Sequence, residues 1–160
     1  MVMLTISKTK QFAKAAGATV IATTSSDTKA EALKKLGADH IINYREKPQW
    51  GDMARSLTPG GKGVDHILEL GGQGTVAQSI RAIKRDGVIS TIGLLGGEMP
   101  DTPLMETLGR IFIARGVYVG SRTLFEGLAK AVEEHDIHPV IDQRQFTLEQ
   151  AREAYDYMVR

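Results

Sequence analysis

Short, almost continuous apolar runs recur along the chain, and longer amphipathic stretches separate them. Runs of about five residues that are rich in Val and Ile are typical of strands covered on both faces, as in a parallel sheet. The pattern therefore predicts strands at residues 20–24, 40–44, 64–70, 88–92 and 116–120.

The stretches between these strands have the spacing and the ends of helices. Thr28 and Glu31 form a Thr-x-x-Glu capping box, and Gly37 is a natural stop for the helix that follows them. Strands that alternate with helices at this spacing require right-handed crossovers, so the predicted fold class is α/β with a doubly wound parallel sheet. The other helices are predicted at residues 11–16, 75–84, 104–113 and 124–134.

The last part of the chain departs from this alternation. His138 and Pro139 end the preceding helix, residues 140–142 are a candidate short strand, and an amphipathic helix is predicted after Phe146. Helical spacing predicts that one apolar face of this helix points inward. That face contains Leu148, Ala151, Ala154, Tyr155 and Met158.

Composition narrows the class of protein. The chain has 160 residues, which suits one domain, and its net charge of +1 gives no case for nucleic acid or a membrane surface. With no cysteine, it has no disulfides, no thiolate zinc site and no cysteine nucleophile. No apolar run approaches the length of a membrane span. The expected setting is therefore the cytoplasm.

No acid–base pair stands out among the histidines, and no catalytic residue is assigned. His40 and His66 each follow an aspartate, but both lie toward the beginnings of predicted strands, away from the edge where ligands bind. His135 and His138 flank a helix end, where a surface role is expected rather than a metal site. The glycine-rich residues 60–63 lack the frame of a phosphate loop and predict a surface turn.

Several segments carry a family resemblance through their order and spacing. They are residues 11–18, 20–26, 36–44, 63–66, 92–94, 139–142 and 148–155. Together they resemble the nucleotide-binding domain of the medium-chain dehydrogenase/reductase superfamily, most closely its zinc-independent, quinone-oxidoreductase-like branch. The resemblance implies a Rossmann fold that binds a nicotinamide dinucleotide for hydride transfer to or from a carbonyl, an alcohol or an activated alkene.

The chain departs from that family in two ways. Full-length members carry a catalytic domain before the nucleotide-binding domain, and in them residues 137–160 would return to it. This chain is a single domain, so the resemblance implies little catalysis by the chain alone; an inactive nucleotide-binding or dimerisation module is the alternative. No glycine precedes Gly17, so the glycine-rich turn is missing. Residues 1–6 either form a degenerate first strand with a short turn at Ser7 or leave a gap in the sheet.

If residues 1–6 are counted as the first strand, residues 20–24 are the second, and the end of this strand predicts which dinucleotide is bound. NAD-preferring relatives have an acidic residue there, and the matching position here is Thr24. By resemblance, Lys29 and Tyr44 match positions that hold the 2′-phosphate of NADPH, and neighbouring hydroxyls suit a dianion. S-adenosylmethionine usually needs an acidic residue at this same position, so Thr24 also argues against that ligand. The predicted 2′-phosphate site consists of Thr24, Ser25, Ser26, Lys29 and Tyr44.

Two alternatives to that site remain open. Lys29 is also consistent with a solvated lysine in the first turn of a helix. Asp27 is the acidic residue nearest Thr24, and from a shifted position it would bind the ribose hydroxyls of NAD instead.

The remaining candidates lie at the carboxyl ends of the fourth and fifth strands, residues 64–70 and 88–92, and within the sixth, residues 116–120. This is the edge where open parallel sheets bind ligands. The glycines among them are also consistent with a tight turn, and the valines with a core or edge strand. In the family the edge of the sixth strand often pairs across a two-fold axis, so a homodimer is expected through residues 117–119. The candidate cofactor contacts are Leu70, Gly71, Ile92, Gly93, Leu94, Val117 and Val119.

Overall fold

The computed structural model describes residues 1–4, 7–95 and 104–159. Its strands are β1 (Val2–Leu4), β2 (Val20–Thr24), β3 (His40–Asn43), β4 (Val64–Glu69), β5 (Ile83–Thr91) and β6 (Ile113–Gly116). Its helices are α1 (Ser7–Ala15), α2 (Asp27–Lys35), α3 (Trp50–Ser56), α4 (Val76–Ala82), α5 (Glu106–Arg110), α6 (Arg122–Glu134) and α7 (Ala151–Val159). Short 3₁₀ turns cover Pro59–Gly61, Gly72–Gly74 and Leu148–Gln150.

The strands form one parallel sheet in the order β3-β2-β1-β4-β5-β6. The chain builds outward from β1 to β3, then crosses back to place β4 on the other side of β1. This reversal confirms the predicted doubly wound Rossmann fold. It also defines a crevice at the carboxyl ends of β1 and β4, which is where such sheets bind ligands.

The first strand is present, although it has only three residues. Val2, Met3 and Leu4 pair with β2 on one side and with β4 on the other, so the alternative of a gap in the sheet does not hold. α1 begins at Ser7, where the shortened turn was expected. Residues 5 and 6, between β1 and α1, lie outside the described part of the chain.

Apolar residues of the strands form the core against α3 and α4. Trp50 and Ala54 of α3 and Ile80 of α4 pack on the sheet, and all three are buried. Burying one Ile side chain stabilises the fold by roughly 2 kcal/mol, so this layer supplies much of the driving force. The large apolar strand residues that are at most 2% exposed are Val20, Ile21, Ile42, Val64, Ile67, Ile83 and Ile89.

Carboxylates anchor the amino-terminal edge of the sheet. Asp65 bonds to the Lys84 ammonium and to the amino terminus, and these contacts lower its pKa to about 2. Asp39 accepts the Val20 amide at 2.7 Å, which is the main cause of its lowered pKa, and it also pairs with Lys14 at 2.9 Å. Both carboxylates stay ionised at neutral pH and fix where strands begin.

The predicted start of α2 is wrong by two residues. Ser26 rather than Thr28 is the N-cap, because its extended backbone aims its hydroxyl at the Lys29 amide, 3.4 Å away. The predicted stop is confirmed: Gly37 has a φ of +88°, a left-handed conformation that favours glycine.

Two predicted helices end earlier than expected. α4 ends at Ala82, because Ile83 already belongs to β5, where it pairs with Val64 of β4. α5 ends at Arg110, because Ile111 adopts a left-handed conformation with a φ of +53°. The carbonyl of Ile111 accepts the Asp86 amide at 2.7 Å, which ties the start of β6 to an irregular stretch of β5.

The sixth strand and the tail also differ from the prediction. β6 covers Ile113–Gly116 rather than residues 116–120, because its partner β5 ends at Thr91, opposite Gly116. Val117 keeps one further hydrogen bond, from its amide to the Thr91 carbonyl at 2.9 Å. In the part of the chain that the structure describes, β5 does not extend past Thr91, so Val119 has no partner there with which to continue the ladder. Residues 140–142 do not form the predicted strand.

The apolar face of α7 is exposed, so the prediction that it points inward is wrong. Leu148, Tyr155 and Met158 are 88%, 71% and 78% exposed, Ala151 is exposed and Ala154 is half-buried. The reason is that no element of the described residues packs over this face. Within those same residues, no helix has both the length and the apolar character needed to cross a bilayer.

Gly63, just before β4, gives a stability prediction. It has a φ of +105°, and a Cβ there would lie 2.7 Å from the Lys84 amide nitrogen, which belongs to the sheet. We expect Gly63→Ala to lower the free energy of unfolding by about 3 kcal/mol in urea denaturation. Gly61→Ala is the matched control, since Gly61 also has a positive φ but no atom within 4 Å, and it should cost about 1 kcal/mol. Equal losses in the two variants would contradict the steric argument.

Candidate functional site

The carboxyl ends of the strands lie along one edge of the sheet. Thr24 of β2 pairs with Asn43 of β3, while Thr91 of β5 pairs with Glu69 on one side and with Gly116 on the other. The predicted site residues follow these strand ends. The sheet therefore presents them along one edge, in two groups on either side of β1.

The first group surrounds a pocket of about 360 Å³ at the end of β2. Four of the five predicted 2′-phosphate residues line it: Thr24, Ser25, Lys29 and Tyr44. The fifth, Ser26, is instead the N-cap of α2. The rest of the wall consists of Thr23, Ala32, Leu33, Leu36 and Val140. The structure thus brings together side chains from a strand, a helix and the start of a loop.

Hydroxyl, phenol and ammonium groups meet an apolar wall in this pocket. Thr24 is 5% exposed and its hydroxyl exchanges long contacts of 3.4–3.5 Å with the backbone of Ser26. Lys29 lies in the first turn of α2 and carries the single charge among the lining residues that the structure describes. Donors of this kind suit an anion, and a wall without a carboxylate does not repel one.

Asp27 faces a different surface of the molecule. With Glu31 and Lys34 it lines a second pocket of about 480 Å³, on the other face of α2 from Lys29. The amide of Asn43 donates to the Asp27 carboxylate at 3.4 Å and to Glu46 at 2.8 Å. Asp27, the alternative that would bind the ribose hydroxyls of NAD, therefore lies outside the Thr24 pocket.

The second group of predicted residues follows β4, β5 and β6, and backbone hydrogen bonds join its members. The Ile92 amide donates to the Glu69 carbonyl at 2.9 Å, and the Leu95 amide donates to the Leu70 carbonyl at 2.8 Å. These bonds bring Leu70 and Gly71 beside Ile92, Gly93 and Leu94. Val117 joins the row through its amide, whereas Val119 is 84% exposed and lies beyond the hydrogen-bonded ladder.

Glu69 is the residue of this region that the sequence analysis missed. It ends β4, is 2% exposed, and accepts hydrogen bonds from the amides of Gly71 at 2.9 Å and Gly72 at 3.1 Å. The hydroxyl of Thr75 donates to the same oxygen, and the hydroxyl of Ser79 donates to the other. A carboxylate directly after the apolar pair Ile67 and Leu68, followed by glycines and a threonine, was the available signal.

The two predicted site glycines differ in what they contact. A Cβ on Gly71 would lie 2.4 Å from the Thr75 hydroxyl, so only glycine leaves that hydroxyl free to bond Glu69. A Cβ on Gly93 would lie 3.9 Å from the Leu70 carbonyl, which is an ordinary contact. A tight turn therefore accounts for Gly71, while among the described residues no contact requires a glycine at position 93.

The histidines lie away from both groups. His40 opens β3 and His66 is the third residue of β4, while His135 caps the end of α6. His138 contacts the Asp136 carboxylate at 3.0 Å on an exposed surface. Across residues 1–4, 7–95 and 104–159, no group of three or more His, Asp or Glu residues is arranged to hold a metal ion.

Comparisons with known proteins agree with this architecture. Residues 9–134 match the family model of the zinc-binding dehydrogenases. A zinc-type alcohol dehydrogenase-like protein of Schizosaccharomyces pombe is 44% identical over 151 residues, which are 92% of this chain and 43% of that protein. The chain therefore spans less than half the length of this relative.

Two further similarities concern the fold and the cofactor. The crystal structure of a 2-haloacrylate reductase superposes with a TM-score of 0.83 at 26% identity, over 99% of this chain and 53% of that one. An NAD-dependent alcohol dehydrogenase of Saccharolobus solfataricus is 30% identical over 91% of this chain and 42% of its own length. Similarity alone thus does not choose between NAD and NADP.

The packing of the two site glycines gives a second prediction. We expect Gly71→Ala to displace the Thr75 hydroxyl from Glu69 and to lower the free energy of unfolding by about 2 kcal/mol. Gly93→Ala, the control on the neighbouring strand end, should change it by less than about 0.5 kcal/mol. Urea unfolding followed by circular dichroism measures both, and a larger loss at position 93 would contradict the described packing.

Proposed function

This chain belongs to the zinc-binding dehydrogenase family, and on that premise we propose that it is the NADP(H)-binding domain of a cytoplasmic alcohol dehydrogenase- or quinone oxidoreductase-like enzyme. Such an enzyme transfers hydride to or from a carbonyl, an alcohol or an activated alkene. The cofactor supplies the hydride chemistry, and the protein binds and orients it. The proposed domain is residues 1–160, and we propose that they bind the cofactor but turn over little substrate by themselves.

Zinc does not fit the residues in hand. The sequence has no cysteine, and the described residues offer no cluster of three metal-binding side chains. We therefore propose that residues 1–160 bind no metal ion of their own.

The pocket at the end of β2 is the observation that carries the cofactor assignment. Lys29, Tyr44 and the hydroxyls of Thr24 and Ser25 would surround a 2′-phosphate, with Ser26 contributing through the first turn of α2. The acid-free wall supports NADPH over NADH, since a carboxylate would repel the added phosphate. Asp27, which would favour NADH, is turned toward Asn43.

The second group of residues would receive the nicotinamide half. A dinucleotide bound in the Thr24 pocket would cross the crevice at β1 and β4 toward Leu70, Gly71 and residues 92–94. For the carboxamide, Val117 would offer its carbonyl oxygen, because its amide already donates to Thr91. Val119, in the exposed segment that follows β6, would also contact the carboxamide through its backbone.

Titration with NADPH and with NADH tests the assignment. We expect micromolar binding of NADPH at least about tenfold tighter than that of NADH, because the Lys29 ammonium pairs with a dianion in a partly enclosed pocket. Lys29→Ala should remove most of that preference while leaving NADH binding nearly unchanged. Nucleotide fluorescence or calorimetry gives both dissociation constants.

Lys34→Ala is the matched control for this titration. Lys34 lies on the same helix but lines the Asp27 pocket. Its loss therefore removes an equal charge from the face of α2 that does not line the Thr24 pocket. Preference for NADH in the wild type, or an equal effect of the two lysine variants, would contradict the 2′-phosphate assignment.

A dimerisation module is the alternative function, and the edge at β6 favours it. Ile113, Tyr118 and Val119 are 56%, 92% and 84% exposed, and an apolar strand edge of this kind pairs readily with a second copy. We propose a homodimer through β6 and the residues that follow it. The tail, residues 137–160, would then be free to return to the rest of a longer enzyme through its exposed apolar face.

Light scattering tests the dimer. We expect a mass of twice 17.4 kDa for the wild type and of 17.4 kDa for Ile113→Lys, because a charge at the paired edge opposes its copy. Leu148→Lys is the control, since Leu148 is 88% exposed but lies in the tail. A monomeric wild type would rule out this interface.

A further inference from the structure

Glu69 occupies the position from which both loops on the β4–β5 side of the crevice can be held. It is the last residue of β4, the strand that lies beside β1 where the strand order reverses. Its backbone carbonyl accepts the Ile92 amide and so fixes the chain that leaves β5. Its side chain fixes the turn that leaves β4. Two loops that border the proposed nicotinamide half of the site thus depend on one residue.

The side-chain contacts of Glu69 span the whole turn. The amides of Gly71 and Gly72 and the hydroxyl of Thr75 meet one carboxylate oxygen, and the Ser79 hydroxyl on α4 meets the other. A buried carboxylate needs such a set of donors to offset its lost hydration. In return, it holds those donors in one arrangement.

Such a network does more than stabilise the fold if a ligand must lie against the turn. We infer that Glu69 is a positioning residue, which sets the surface that receives the nicotinamide half of the dinucleotide without touching it. This inference rests on the proposed function. Because Glu69 is only 2% exposed, it would act on the ligand through its hydrogen-bond partners Gly71, Gly72 and Thr75.

A ligand that fills only one half of the site separates positioning from general stability. Adenosine 2′,5′-bisphosphate carries the 2′-phosphate but no nicotinamide, so it would contact only the Thr24, Lys29 and Tyr44 pocket at the other side of β1. NADPH would contact both groups. A change confined to the turn after β4 must therefore weaken the binding of NADPH and leave the binding of the bisphosphate unchanged.

The test measures the affinities of both ligands for the full chain. In Glu69→Gln the side chain keeps its size, but an amide group that is itself a donor replaces one carboxylate oxygen. We expect the dissociation constant of NADPH to rise about tenfold or more, the factor that one hydrogen bond to a charged group is worth. That of adenosine 2′,5′-bisphosphate should change less than about twofold. Ser79→Ala, which removes a single donor to Glu69, should give the same pattern. It replaces Glu69→Gln as the test variant if Glu69→Gln folds poorly.

Thr58→Val is the matched control. Thr58 is a buried hydroxyl that bonds the Arg55 carbonyl at 2.7 Å and accepts the Gly63 amide at 2.9 Å, ahead of β4 and so at the opposite edge of the sheet. Its loss should lower stability and leave both affinities within about twofold.

Other outcomes overturn the inference. Equal weakening of the two ligands in Glu69→Gln and Ser79→Ala would make Glu69 a purely structural residue, and unchanged NADPH binding would leave it no role in binding. If the wild type binds the bisphosphate as tightly as NADPH, the turn after β4 makes no contact that contributes to the affinity for the nicotinamide half. A wild type that binds neither ligand would refute the proposed function itself, and this inference with it.

Discussion

Pairing of the three-residue strand β1 holds the two halves of this sheet together. Val2, Met3 and Leu4 bond to β2 on one side and to β4 on the other, so removing them would separate β2 and β3 from β4, β5 and β6. A short strand suffices because both of its neighbours are buried and parallel, so each of its residues pairs on two sides. The crevice for a ligand exists only because this junction closes.

That junction also divides the candidate site. On one side, β2 and α2 form the pocket around Lys29, and on the other, Glu69 holds the turn that follows β4. The two sides use different chemistry. The first lines a pocket with an ammonium group, a phenol and hydroxyls, whereas the donors of the second form hydrogen bonds to Glu69. A dinucleotide that spans both would gain charge pairing at one end and a fixed shape at the other.

Helix α2 shows how one element keeps opposite charges apart. Lys29 points to the Thr24 pocket, while Asp27, only two residues earlier, lies on the face that Asn43 and Glu46 share. The angle of about 100° between successive helical residues makes this separation possible. Cofactor preference in the proposed function therefore depends on the orientation of α2 as much as on which residues it contains.

The sequence by itself determined the class of fold and the strand ends that carry the site. Apolar runs identified both ends of β2, and β3 and β4 to within one residue, because a strand buried on both faces leaves a local pattern. The hydroxyls at the end of β2 were likewise visible, since their type and their position along the chain were enough to suggest an anion.

Tertiary structure decided the features that depend on partners distant in the chain. β6 lies at Ile113–Gly116 because β5 ends at Thr91, and the face of Asp27 is set by a hydrogen bond from Asn43. Glu69 looked like one polar residue in a strand until folding brought the Ser79 hydroxyl to it. Local patterns record burial and helix ends, whereas pairing partners and buried polar contacts exist only once the chain has folded.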